Sequence, residues 1–107
     1  MTDEIAIERS SGNVFADLGF DEPEIELAKA RLSNKIAEEI AARGWTQRQA
    51  ADILGIDQSR VSLLVRGKTG QFSLERLIEF LGRLSFDVRI EATPSPTRSR
   101  GRMLIAV

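Results

Sequence analysis

The sequence predicts a mainly α fold, a small helical bundle carrying a short C-terminal β-strand or hairpin, and three observations support that expectation. Apolar residues recur at helical spacing between residues 22 and 85. Glycines and polar capping residues cut this stretch into one long helix and three short ones. Beyond Ser85 the apolar period changes from helical to alternating, as a half-buried strand requires. The chain therefore divides into an acidic N-terminal arm (residues 1–21), a helical domain (22–85) and a β element (86–107).

The arm is expected to be mostly irregular. Gly12, Asn13 and Gly19 surround the apolar Val14, Phe15, Leu18 and Phe20, which are expected to dock on an unspecified surface. Asp21-Glu22-Pro23-Glu24 reads as a helix start, with a capping carboxylate, a proline in the first turn and acids where the helix dipole favours them. Ala28, Leu32, Ile36 and Ile40 then recur every four residues, so one apolar stripe runs down a long amphipathic helix. That helix ends near Arg43, where Gly44 supplies a left-handed closing residue. Two short helices follow, Thr46 to Leu54 and Asp57 to Arg66, separated only by Gly55-Ile56. Ser73 caps a fourth helix, with Arg76 at its third position, Leu74, Leu77, Ile78 and Leu81 as its buried face, and an end near Ser85. Phe86, Val88, Ile90 and Ala92 then share one face of a strand, and Asp87, Arg89 and Glu91 the other. Thr93-Pro94-Ser95-Pro96-Thr97 breaks it, Arg98 to Arg102 forms a basic link, and Met103 to Val107 supplies a second strand. A lone two-stranded ribbon is marginal in water, so it either packs on the helices or adds to the same element of a second chain. Phe86, Val88 and Ile90 are the residues expected to mediate dimerisation.

With 42% hydrophobic and 29% charged residues in 107, the chain has material for one modest core and little room for a cleft between domains. It contains neither cysteine nor histidine, which excludes disulfides, thiolate or imidazole metal sites, and Cys or His catalysis. Nucleophile, base and phosphate-loop patterns are lacking too, so the reading is no enzyme, no cofactor and no metal. No apolar run approaches the ~18 residues of a membrane span, which leads to the expectation of a cytoplasmic protein with no membrane partner. The net charge of −1 conceals an asymmetry. Residues 1–29 hold eight acids against Arg9 and Lys29, a net −6, whereas residues 30–107 hold thirteen bases against eight acids, a net +5. The positive charge surrounds the two short helices and suits a phosphate-binding face.

Those two helices have the spacing of a helix-turn-helix, which requires a steep crossing and a very short turn. Ala51 is small enough to let them approach, Gly55 can take the positive φ of the turn, and Ala50, Leu54, Ile56, Val61 and Leu64 supply the inward apolar positions. Ala51, Gly55, Ile56 and Val61 are thus the turn and packing residues. The sole tryptophan, Trp45, is expected to brace the junction of two helices.

The pattern Thr46-Gln47-x-x-Ala50-Ala51-x-x-x-Gly55-Ile56, followed by Ser59-Arg60-Val61-Ser62 and Arg66-Gly67-Lys68, resembles the XRE family of phage-repressor-type domains, a lambda-repressor-like helix-turn-helix bundle. With the arm Gly12-Asn13-Val14-Phe15-Ala16-Asp17-Leu18-Gly19-Phe20 and the tail Arg83-Leu84-Ser85-Phe86-Asp87-Val88-Arg89-Ile90, the longer pattern resembles the HigA-like antitoxins of type II toxin-antitoxin systems. The resemblance implies that residues 22–85 bind double-stranded DNA at a palindromic operator and that the protein is a homodimeric repressor. It makes Asp57 to Arg66 the recognition helix, with Gln58, Ser59, Arg60 and Ser62 contacting bases. Gln58 suits adenine, the hydroxyls suit either base, and Arg60 reaches a guanine or a phosphate. Gln47, Arg48, Arg66 and Lys68 become the phosphate contacts. Leu63 departs from the polar residue that phage repressors often carry there, and leaves only a thymine methyl or the core as its partner. The antitoxin resemblance further implies a small basic RNase toxin as partner, to which the acidic first third offers charge complementarity. The alternative is a stand-alone phage-type regulator without a toxin.

Overall fold

In the computed structural model, residues 21–96 and 100–107 are described, and the docking expected of Val14, Phe15, Leu18 and Phe20 lies outside them. Four helices occupy the described residues: α1 (Glu22–Ala42), α2 (Gln47–Leu54), α3 (Gln58–Val65) and α4 (Leu74–Arg83). Each begins at a polar residue in extended conformation whose side chain takes up a first-turn N–H. Asp21 accepts from the Glu24 amide at 3.0 Å, Thr46 from Gln49 at 3.1 Å, Asp57 from Arg60 at 2.9 Å and Ser73 from Arg76 at 3.1 Å. At α2 the Gln49 side chain also returns to the Thr46 amide at 2.9 Å, a reciprocal cap that fixes the entry to the helix pair. Each helix is followed by a residue with positive φ: Gly44, Gly55, Gly67 and, without glycine's freedom, Ser85 at 71°.

The stripe expected on α1 is the one buried. Ile25, Ala28, Leu32, Ile36 and Ile40 are at most 5% exposed and face α3 and α4. α2 packs chiefly on α3 and also reaches α4, so the long helix and the last one form the bed on which the short pair rests. The buried face of α4 differs from the expectation: Ile78 is half-buried, while Glu75 and Phe80 are buried, Phe80 fully. The Phe80 ring meets that of Phe72 edge-on, with centroids 5.8 Å apart, and aromatic pairs favour this arrangement. Burying side chains of this size contributes about 1.5–3 kcal/mol each, so the core formed by α1, α3 and α4 holds the pair in place. The ends of α1 and α4 are joined as well, by a 2.7 Å hydrogen bond from Arg43 Nη2 to the Leu84 carbonyl. Trp45 is half-buried beside this junction, with the Arg43 guanidinium 5.1 Å from its ring centroid.

The expected C-terminal strands do not form. Among the described residues no ladder is present, in residues 86–96 or in 100–107. Phe86 turns into the domain, packs against the core and lies 5.2 Å from the Lys35 ammonium. Met103 and Ile105 pack against the core elsewhere, and the Met103 amide donates to Glu24 Oε2 at 2.8 Å. Lys35 and Glu24 are eleven positions apart on α1, about 16 Å along its axis, so the two apolar segments dock at different levels of the helix. Val88 and Ile90 are 42% and 62% exposed, and Leu104 and Val107 are exposed as well. Among the described residues no helix is long and apolar enough to cross a membrane.

Candidate nucleic-acid interface

The turn between α2 and α3 depends on Gly55, whose φ of 73° and ψ of 32° are left-handed. The amides of Gly55 and Ile56 both reach the Ala51 carbonyl, at 2.8 and 3.1 Å, so the chain reverses within a single residue of the helix end. Asp57 then caps α3 immediately. Ala51 is 6% exposed and Val61 fully buried between the helices, while Ile56 is half-buried against the core. The back of the turn is closed by Arg83 of α4, whose Nη1 lies 3.5 Å from the Ile53 carbonyl and would stand 3.1 Å from a Cβ placed on Gly55. The pair is thus two helices held at an angle, and not a continuous rod.

Successive residues of α3 advance by about 100°, and with Val61 and Leu64 turned inward the outward face falls on Ser59, Ser62 and Arg66. Gln58 flanks that face on one side and Arg60 on the other. Gln58 and Ser59 are exposed and Ser62 is half-buried, so the domain does not cover them. Leu63 is half-buried and packs against the core, the inward alternative of the two open to it. Gln47 and Arg48 are exposed in the first turn of α2, and Arg66 and Lys68 are exposed around the end of α3. Gly67, with φ of 75°, closes α3 and leaves the Lys68 amide bonded to Leu63 at 2.9 Å, while Arg66 Nε folds back to the Ser62 carbonyl at 3.2 Å. Between residues 43 and 71 five bases oppose Asp52 and Asp57, a net +3 on the part of the molecule that carries the pair.

Two features of this surface go beyond the sequence reading. The Ser59 hydroxyl donates to Asp57 Oδ1 at 2.7 Å, so its proton is engaged and its oxygen is what it offers outward as an acceptor. The same hydrogen bond, together with the Arg60 amide and the Arg60 charge, holds the Asp57 carboxyl below the usual carboxylate range. The spacing Asp57-x-Ser59 at a helix start carried the signal for that contact. Arg60 is also less free than an exposed reader: its guanidinium lies 5.5 Å from the Phe72 ring centroid, and its Nε is buried without a hydrogen-bond partner.

A capped, glycine-hinged helix pair with an open polar face and surrounding positive charge defines a helix-turn-helix DNA-binding regulator. The comparisons place it within that class. The family model described as helix-turn-helix domain matches residues 14–93, and the chain belongs to this family. A solved XRE family transcriptional regulator is similar in fold with a TM-score of 0.76 and 33% identity, over 81% of this chain and 99% of that one, which places the protein among XRE-type transcriptional regulators. No curated protein matches the sequence.

Proposed function

We infer that the protein is a sequence-specific repressor that binds a palindromic operator as a symmetric dimer. Each α3 enters a major groove, Gln58, Ser59, Arg60 and Ser62 contact base edges, and Gln47, Arg48, Arg66 and Lys68 hold phosphates. The observation that carries this reading is the uncovered Gln58, Ser59 and Ser62 surface on a helix fixed from behind by buried Val61 and Leu64. The dimer is supported by the exposed Val88 and Ile90, which follow Phe86 and have unpaired backbone beside them. A second chain would supply the missing strand partner and cover those side chains, and binding to successive major grooves requires the two recognition helices about 34 Å apart. The finer biological reading is an antitoxin that represses its own operon and neutralises a small basic RNase, supported by the net −6 of residues 1–29. The second reading is a stand-alone regulator without a toxin, and the solved relative's description as a transcriptional regulator fits either.

Selection of bound duplexes from a random library by the full chain, with sedimentation of the protein at micromolar concentration, tests the repressor and the dimer together. The expected result is a two-fold-symmetric consensus bound by a dimer, with an affinity that falls steeply as salt rises. Failure to enrich any sequence overturns the repressor reading. A monomer on and off DNA overturns the dimer. Capture of a small basic protein from the native host that cleaves RNA, and is inhibited on rebinding, decides between antitoxin and stand-alone regulator.

A further inference from the structure

Arg60 and Phe72 come from different parts of the chain, the first turn of α3 and the loop that leads into α4. Phe72 is 2% exposed, set by its amide's 3.0 Å bond to the Thr69 carbonyl and by its edge contact with Phe80. It is followed at once by Ser73, the cap of α4, so its ring has little room to turn. Arg60 is held from the other end by its own amide bonded to Asp57. The guanidinium between these two anchors lies 5.5 Å from the ring centroid, within the range in which a cation is attracted to an aromatic face. Its Nε is buried with no acceptor, an unusual state for a donor and one that hydrogen bonding within the protein does not explain.

We propose that Phe72 is a specificity-determining positioning residue, whose ring holds the Arg60 guanidinium in a set orientation so that it presents Nη1 and Nη2 end-on to a guanine in the major groove. The proposal rests on the repressor reading and names one step of its readout. Because Nε is buried, the side-on fork made by Nε and one Nη is closed, and the end-on pair is what Arg60 offers. Guanine O6 and N7 form a coplanar acceptor pair, so they reward a guanidinium already lying in the right plane. A phosphate offers its oxygens around a tetrahedron, so a guanidinium can pair with it in several orientations, and such a contact carries no base identity. The contribution of Phe72 therefore appears as discrimination at one base step and not as general affinity.

The test uses the full chain and the consensus it selects, with binding measured by fluorescence anisotropy for Phe72→Leu, Arg60→Ala and the double variant. Arg60→Ala is expected to lower the preference for guanine at one step about tenfold or more. Phe72→Leu keeps an apolar side chain in the core but removes the ring face, and is expected to lower the same preference roughly three- to tenfold while leaving scrambled DNA bound as before. In the Arg60→Ala background, Phe72→Leu is expected to change nothing further at that step. 7-Deazaguanine at the same position, with the unaltered protein, is expected to reproduce the Arg60→Ala loss because it removes the N7 acceptor. A Phe72→Leu effect that is equal on all sequences, or that persists without Arg60, overturns the proposal, as does indifference to 7-deazaguanine. If Phe72→Leu fails to fold, Phe72→Met and the 7-deazaguanine duplex decide in its place. If the chain enriches no sequence, the repressor reading itself fails, which is a separate outcome from a guanine step that ignores Phe72.

Discussion

The helix pair of residues 46–66 and the tail of residues 86–107 are each about twenty residues long and each was expected to be regular, yet one is capped, hinged and packed from behind and the other is open. The pair has a reciprocal cap at Thr46, a left-handed Gly55 at its turn, a carboxylate cap at Asp57 and buried apolar residues on both helices. Every signal that builds it lies within a few residues of the place where it acts, and the core of α1 and α4 only has to receive it. The tail has a strand's alternation but no strand, because a ladder needs a partner and none lies alongside it among the described residues. Helical order is specified locally and strand order across chains or loops, and this molecule contains one case of each.

The contrast is broken most strongly by removing one methyl-rich side chain from each region, buried in the pair and exposed in the tail. Leu64, fully buried on α3, is expected to cost about 2–5 kcal/mol when changed to alanine, because the surrounding helices collapse only in part around the space left. Ile90, 62% exposed, is expected to change the stability of a dilute monomer by no more than about 0.5 kcal/mol. Urea unfolding of the two variants at low protein concentration measures both. Comparable losses would mean that the tail is part of the folded body and not an open edge. Next in size is Gly55→Ala, expected to cost about 1–2 kcal/mol, since an L side chain is strained at a φ of 73° and its Cβ would press on Arg83. A melting temperature unchanged by that substitution would show that the turn has another conformation available to it.

These differences follow what could be read from residues alone. The four helices, the caps at Asp21 and Ser73, and Ala50, Leu54, Val61 and Leu64 of the inward set were legible because caps and helical stripes are short-range patterns, whereas Thr46, expected as a first helical residue, is a cap, and Ile56 is only half-buried. Phe80 was missed and Ile78 put in its place, since both fall near the edge of the same helical face and only the ring of Phe72, eight residues away, decides which is central. The surface positions of Gln58, Ser59 and Ser62 were legible from the same periodicity. The restraint on Arg60 was not, because it comes from Phe72 beyond the end of the helix, and no local pattern joins residues 60 and 72. The tail failed for the same reason on a larger scale: alternation states which side chains share a face and is silent about what pairs with the backbone.

The seam between the two regions supplies a smaller effect with the opposite sign. α4 ends on Ser85, with its amide bonded to Gly82 at 3.0 Å and that of Phe86 to Leu81 at 3.0 Å, the same closure that Gly44 and Gly67 give α1 and α3. Ser85 adopts a φ of 71° without glycine's freedom. Ser85→Gly is therefore expected to stabilise the domain by about 0.5–1 kcal/mol, the strain relieved being offset in part by the greater freedom of glycine in the unfolded chain. Chemical denaturation checks the sign. A loss of stability would mean that the serine side chain contributes more than its backbone costs.

The smallest effect concerns the pair itself and is read through pH. The Asp57 carboxyl is lowered first by the Ser59 hydroxyl, then by the Arg60 amide and the Arg60 charge, so protons bind it less readily in the folded chain than in the unfolded one. A carboxyl depressed in this way stabilises the fold above its unfolded value of 3.8, and that contribution disappears as pH falls through the lower folded value. The window lies entirely below about pH 4, so the cap of α3 is constant across neutral pH and any change in DNA binding there has another origin. Asp57→Asn keeps an acceptor for the Arg60 amide but no longer titrates. Between pH 6 and 2.5 its urea midpoint is expected to fall less than that of the parent chain, with the curves separating only in the acid limb. Parallel curves would mean that Asp57 caps α3 by geometry alone, and that its charge gives the recognition helix no part of the order that the tail lacks.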